Sequence, residues 1–225
     1  DGNIYVGAVS FKSPKKRDKD LQYSRFCHET SWNELKSIVE KIVAWIRLGT
    51  KKDKDKNLSI LFSSYPSKEY QMGHAVGLDT MRSVAEILKK LPNAGINIGE
   101  LKDLDISCEL RRCKIEWGLE VYIKSLGGLP KPLVKTIFDQ WGDPLNDPLV
   151  RNGSFQFSAF KLGKIIIGLQ PDRSLFSQRE EDYHDLQKIP CHGYVAFYLW
   201  LHSQGLDAII HLGAHGTLEW LPGKS

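Results

Sequence analysis

The sequence predicts an α/β fold: parallel-sheet layers with flanking helices, plus one β-hairpin. Three observations carry that expectation. Short apolar runs rich in β-branched residues alternate with segments of helical period, the pattern of strand–helix–strand units. One run, Leu58-Ser59-Ile60-Leu61-Phe62, is apolar almost throughout, as a strand covered on both faces requires. Another, at 207–211, leads straight into glycines and histidines. At 225 residues, 41% hydrophobic and 26% charged, the chain is long enough to bury a core without disulfide or metal staples.

Taken in order, residues 3–11 read as a strand leading into a charged loop at 12–20. Thr30-Ser31 caps a helix in which Leu35, Ile38, Val39, Ile42, Val43, Trp45 and Ile46 recur at helical spacing until Gly49. The strand at 58–62 follows, then a helix from the cap Asp79-Thr80 to Leu91, with Val84, Ile87, Leu88 and Leu91 on one face. Residues 96–117 carry little periodicity. Helical spacing returns from Trp117 to Trp141, broken at Gly127-Gly128, Pro130 and Pro132, and Pro144 and Pro148 keep 143–148 extended. Alternation at 155–160 and the run 164–169 predict a hairpin turning at Lys161-Leu162-Gly163. A helix over 192–201 and a buried strand over 207–211 complete the chain. The expected division is an α/β segment at 1–95, a mostly helical connection at 96–150 and a second α/β segment at 151–225.

Several function classes fall away on composition. The net charge of +4, from 31 Lys and Arg against 27 Asp and Glu, sits in two mixed-sign runs at 12–20 and 51–56, the pattern of solvated loops rather than a nucleic-acid footprint. No run approaches the roughly 20 apolar residues of a membrane span. Cys27, Cys108, Cys113 and Cys191 contain no C-x-x-C pair, which fits reduced thiols and a cytoplasmic location. The chain begins at Asp1 without an initiator methionine or leader and stops just after a motif, so a piece of a longer polypeptide is expected.

The densest polar cluster is His211-Leu212-Gly213-Ala214-His215-Gly216-Thr217-Leu218-Glu219-Trp220. Two imidazoles and a carboxylate follow a predicted strand, where ligands bind in open α/β sheets. Such groups can hold a divalent metal or move protons, and glycines let backbone approach a ligand. Two tempting motifs fail on spacing. Gly223-Lys224-Ser225 lacks the glycine a phosphate loop needs at 218, which is Leu218; His211 and His215 have zincin spacing, but Leu212 stands where the catalytic glutamate belongs. A metal-dependent hydrolase using His211, His215 and Glu219 stays open on the residues alone.

The run HLGAHGTLEWLPGK at 211–224 resembles the signature of the family formed by the large subunit of aerobic cobaltochelatase (CobN) and the magnesium-chelatase H subunit. SSYPSKEYQMGHAVGLDT at 63–80, WGDPLNDPLVRNGSFQFSAFKLGKIIIGLQPDR at 141–173 and YHDLQKIPCHGYVAFYLWL at 183–201 resemble the same family in the same order. VGLDT at 76–80, YHD at 183–185 and Trp220-Leu221 favour the cobalt branch; His74 stands where many relatives carry Asn, and 96–117 does not align. The resemblance implies a fragment of a larger multidomain subunit that inserts Co²⁺, its substrate metal, into the tetrapyrrole hydrogenobyrinic acid a,c-diamide for cobalamin synthesis. ATP and Mg²⁺ would act on partner subunits, an AAA+ ATPase and its integrin-like partner. The magnesium branch, inserting Mg²⁺ into protoporphyrin IX, is the alternative, and a tetrapyrrole-binding or metallochaperone module without catalysis is another. Within that frame Glu219 and His215 are expected to be catalytic, with His211, His215 and Glu219 as transient metal ligands. His192, Asp172, Arg173, His74 and Trp220 are the candidate ring contacts.

Overall fold

In the computed structural model the described residues are 7–63, 72–73, 75–99, 104–174, 187–213 and 221. The chain divides into two compact units, Asp1–Lys51 and Lys52–Ser225.

In the first unit, strand β1 (Ser10–Pro14) pairs antiparallel with β2 (Phe26–Thr30), Ser10 opposite Thr30 and Pro14 opposite Phe26. The strand therefore runs into the stretch assigned from sequence to the charged loop. Lys12 and Ser13 are drawn into it by pairing with β2, and the Lys15–Glu29 ion pair extends the contact. Helix α1 (Trp32–Thr50) starts as expected: the Ser31 hydroxyl accepts the Glu34 amide at 3.5 Å.

The second unit opens with β3 (Leu58–Phe62), then α2 (Thr80–Lys90), whose Asp79 cap accepts the Arg82 amide at 2.9 Å. Helix α3 (Ile106–Arg112) lies in the stretch without periodicity. Only Ile106 and Leu110 are buried in it, too few to register as a pattern, and Asp105 caps it through the Cys108 amide. Strand β4 (Ile115–Gly118), α4 (Leu119–Leu126) and α5 (Lys131–Trp141) follow. After them come β5 (Val150–Arg151), β6 (Ser154–Phe157), β7 (Ala159–Leu162), β8 (Ile165–Leu169), α6 (His192–Ser203) and β9 (Ala208–Leu212).

The main sheet has the order β7-β8-β3-β9, with β3 parallel to both β8 and β9, and β7 antiparallel to β8. The second sheet, β4-β6-β5, is antiparallel. This corrects the predicted hairpin. The expected strand over 155–160 breaks at Ser158, so that β6 pairs with β4 and β5 while β7 turns back onto β8 through Gly163-Lys164. Gly163 has φ +57°, and a Cβ there would meet Asn97 O at 2.7 Å, so the turn accepts only glycine.

Period-2 alternation sends β3 to two cores. Leu58, Ile60 and Phe62 pack with Ile165 and Ile167 of β8 against Val84 and Leu88 of α2 and Ile106 and Leu110 of α3. Leu61 and Ile166 face Phe197, Trp200 and Leu201 of α6, with Tyr122 of α4 and Phe155 and Phe157 of β6. Burying each such side chain contributes roughly 1.5–3 kcal/mol. Both faces of the central strand are thus covered, which explains why its run is apolar except at Ser59. Among the described residues no helix is long and apolar enough to cross a membrane.

Candidate active site at the carboxyl edge of the parallel sheet

The carboxyl ends of three parallel strands lie side by side. Leu61 is level with Gly168 of β8 and His211 of β9, and Phe62 with Leu169 and Leu212. The ladder continues past the strands: Gln170 donates its amide to Phe62 O at 2.9 Å and Ser63 donates its own to Leu212 O at 3.0 Å. From here β3 leads to α2 against one face and β8 to α6 against the other. Connections that part in this way open a crevice outside the strand ends. Gly213 seals the β9 side: its φ is +136°, and a Cβ on it would fall 2.1 Å from Ser63 Oγ.

His211 is the polar group this edge leaves unpaired. Both ring nitrogens are shielded from solvent and neither has a hydrogen-bond partner among the described residues. Burial holds its pKa below the ordinary histidine value, so the ring is neutral at neutral pH, with a lone pair committed to no described residue. Leaving such a group unpaired costs about 1–3 kcal/mol. Its ring lies nearly parallel to that of Tyr198, 12° between planes and 6.4 Å between centroids.

Gln170, 3% exposed, continues the floor. Its Nε2 donates to the hydroxyls of Tyr194 at 3.1 Å and Tyr198 at 2.5 Å. Tyr198 therefore spans from the end of β8 to the end of β9. Sequence reasoning singled out neither Tyr198 nor Gln170 as a site residue. The available signal was a glutamine directly after an all-apolar strand, together with a tyrosine pair at i, i+4 in a later apolar helix whose hydroxyls call for a polar partner.

His192 is differently engaged. It is 1% exposed; its Nε2–H donates to Gly142 O at 3.0 Å, which leaves Nδ1 to accept from the Tyr122 hydroxyl at 2.7 Å. Burial lowers its pKa, and the same burial raises that of Tyr122, so both groups are neutral. With both nitrogens committed, His192 pins the start of α6 to α4 and the loop after α5. Beside it the buried Asp147 carboxylate accepts the Gly193 amide at 2.7 Å and the Leu149 amide at 2.9 Å. A Cβ on Gly193 would sit 2.9 Å from Asp147 Oδ1, so glycine is what lets the carboxylate in. The Cys191 thiol is pushed up to about 12 by burial, and also by the Asp147 charge, which makes it inert as a nucleophile.

Asp172 and Arg173 follow Gln170 on the β8 side. Asp172 is exposed and its carbonyl accepts the Cys191 thiol at 3.4 Å; Arg173 is 4% exposed and its carbonyl accepts the Cys191 amide at 2.9 Å. The segment is thereby tied to the start of α6. His74, His215, Glu219 and Trp220 lie outside the described residues. Among the described residues no three His, Cys, Asp or Glu side chains gather into a metal site. The edge thus supplies one neutral unpaired imidazole, a rigid aromatic and amide support, and an exposed carboxylate.

The family model described as CobN/Magnesium Chelatase matches residues 1–225. The chain is 30% identical over 241 residues to the aerobic cobaltochelatase subunit CobN of Pseudomonas aeruginosa, an alignment covering 100% of the chain and 19% of that protein. It is also 30% identical over 239 residues to the subunit of the same name from Sinorhizobium sp, again with 100% and 19% covered. Among solved structures, the catalytic subunit of cobaltochelatase from Mycobacterium tuberculosis superposes with a TM-score of 0.80 at 28% identity, over 100% of this chain and 20% of that one. The chain spans about a fifth of the length of these relatives.

Proposed function

Since the chain belongs to the CobN/magnesium chelatase family, we propose that it forms part of the tetrapyrrole-binding, metal-inserting subunit of a cobaltochelatase. The substrates are Co²⁺ and hydrogenobyrinic acid a,c-diamide, and ATP is hydrolysed by a separate AAA+ subunit with an integrin-like partner. The observation that carries this reading is the His211 imidazole at the carboxyl edge of the sheet, neutral, shielded and without a hydrogen bond to any described residue.

Insertion requires two things at the ring centre. Pyrrolic nitrogens must lose protons, and a hydrated cation must exchange water for those nitrogens. Neutral imidazole is a ligand for Co²⁺ and a weak base, so His211 suits a brief first coordination. His215, four residues on, would share the ion, and Glu219 would accept the pyrrolic proton and neutralise the charge that develops. A saturated, permanent site would retain the metal, whereas a single imidazole presented by the described part of the edge allows release. In this reading the exposed Asp172, close after β8, would meet polar substituents of the macrocycle, and Arg173, buried beside it, would reach the ring only if its side chain moved; His74 and Trp220 would complete the contacts. His192 serves this site from beneath, by fixing α6.

The motif differences at 76–80 and 183–185 and at Trp220-Leu221 favour cobalt over magnesium. Titrating the full-length polypeptide with metal-free hydrogenobyrinic acid a,c-diamide and, separately, with protoporphyrin IX tests the reading through ring absorbance and fluorescence. Tight binding of the corrinoid alone is expected. Preference for the porphyrin would move the protein to the magnesium branch, and binding of neither, with stoichiometric Zn²⁺ retained on purification, would point to a hydrolase instead. Glu219→Gln is expected to abolish insertion while ring binding persists.

A further inference from the structure

We infer that Tyr198 is the positioning residue for His211, and that Gln170 locks Tyr198 in place; this rests on the chelatase reading above and deepens it. A ligating histidine ordinarily has its ring plane fixed by a hydrogen bond from its second nitrogen to a carboxylate or carbonyl. His211 has no such bond to a described residue at either nitrogen. What sets its plane among the described residues is the Tyr198 ring, stacked on it at 12°.

Tyr198 is itself held on several sides. Its hydroxyl accepts from Gln170 at 2.5 Å, Phe197 meets it edge to face at 5.5 Å and 86°, and Tyr194 lies 5.0 Å away. Tyr194 and Tyr198 are one turn apart on α6, so both hydroxyls reach the same carboxamide. Gln170 in turn is the last rung between β8 and β3 through its amide to Phe62 O. Packing alone would be served by phenylalanine at 194 and 198; the hydroxyls give the amide at the strand end its acceptors. The chain of contacts from β8 to Gln170, Tyr198 and His211 therefore carries the position of one strand end to another across β3.

Stacking has a chemical advantage for a group that must take up a cation and give it away. It orients the imidazole without occupying either nitrogen, so neither lone pair nor proton is committed before substrate arrives. Displacement of a reacting group by about 1 Å can cost on the order of a hundredfold in rate, so loss of the support acts on turnover rather than on ring binding.

The test uses the full-length polypeptide assembled with its ATPase partners, with Co²⁺ insertion measured at varied metal and ring concentrations, ring Kd measured separately and folding checked by circular dichroism. Tyr198→Leu is expected to lower kcat about tenfold or more with ring Kd within about threefold, and Tyr198→Phe, which keeps the stacked ring, to restore most of the lost turnover. Gln170→Leu, which frees the ring without removing it, is expected to lower kcat by about threefold. His211→Ala separates the two readings. If it inserts cobalt normally, the role given to His211 in the chelatase reading fails. If it is inactive while a folded Tyr198→Leu or Gln170→Leu protein turns over at the normal rate, the positioning role is overturned and the chelatase reading stands. Equal losses in Tyr198→Leu and Tyr198→Phe would also overturn it, since the ring would then not be what matters.

Discussion

Gly213→Ala gives the sharpest test of how the crevice is closed on the β9 side. The residue has φ +136°, a conformation that L-residues adopt only under strain of about 1–3 kcal/mol. The new methyl would lie 2.1 Å from Ser63 Oγ, 3.2 Å from Ser63 O and 3.3 Å from Ser63 Cβ. The hydroxyl can turn away, but the carbonyl and Cβ belong to the end of β3, whose Ser63 amide is bonded to Leu212 O. Overpacking of that kind costs a further 1–3 kcal/mol or so. The sum is about 2–6 kcal/mol, a large part of the stability of an ordinary domain. Urea unfolding followed by tryptophan fluorescence measures it. Ser63→Gly in the same chain should recover about 1–3 kcal/mol by removing the crowded side chain while leaving the φ strain. A Gly213→Ala chain within about 0.5 kcal/mol of the parent would refute the close approach of β9 to β3, and with it the shape of the site.

Three further expectations concern the support of α6. Asp147→Ala removes a buried acceptor from the Gly193 and Leu149 amides, so hydrogen exchange at Gly193 should accelerate by an amount equivalent to about 1–3 kcal/mol; unchanged protection would show that the carboxylate does not cap α6. Thiol labelling at pH 8 should modify the exposed Cys108 readily and leave Cys191 untouched in folded protein, because its thiol is buried with a pKa pushed to about 12; early labelling at Cys191 would contradict its placement. His192 and His211 both have folded pKa values depressed by burial, so the unfolded chain binds more protons below the ordinary value of about 6.5. Stability from these rings is complete above that pH and is lost as pH falls toward their folded values. Unfolding at pH 6 should therefore take up protons, less so in His192→Gln, and calorimetry in buffers of different ionisation enthalpy reads the difference; identical uptake in the two proteins would remove His192 from the account.

Why some of this was legible in the sequence and some not follows from what each residue is paired with. Helices α1 and α2 announce themselves because their caps, Ser31 and Asp79, act within three residues, and β3 because both its faces are covered. The split of β6 from β7 at Ser158 is hard to see locally: Phe155, Phe157 and Ala159 alternate as one strand would, and the identity of distant partners, Trp117 for Phe155 and Gly168 for Ala159, divides them. Gln170 and Asp147 escaped notice for the same reason, since the tyrosines that pair with Gln170 lie 24 and 28 residues away and the Gly193 amide that pairs with Asp147 lies 46 away.

The two histidines of the described site show what sequence could not separate. His192 is buried and His211 half-buried, both are neutral, and by composition either is a ligand candidate. One spends its two nitrogens on Tyr122 and Gly142 and so cannot offer a lone pair without breaking the start of α6. The other spends neither. The unpaired ring costs stability that a mutation to an apolar residue would return, as replacing both members of a buried polar pair can. His211→Leu in the isolated chain is accordingly expected to be as stable as the parent or more so, by up to about 1–3 kcal/mol, whereas His192→Leu should be destabilised by a similar amount through the stranded Tyr122 hydroxyl and Gly142 carbonyl. Opposite signs in urea unfolding would mark His211 as a group held for chemistry at the expense of the fold. A destabilised His211→Leu would show that the imidazole has a structural partner after all, and the argument for an open ligand position at the end of β9 would fall with it.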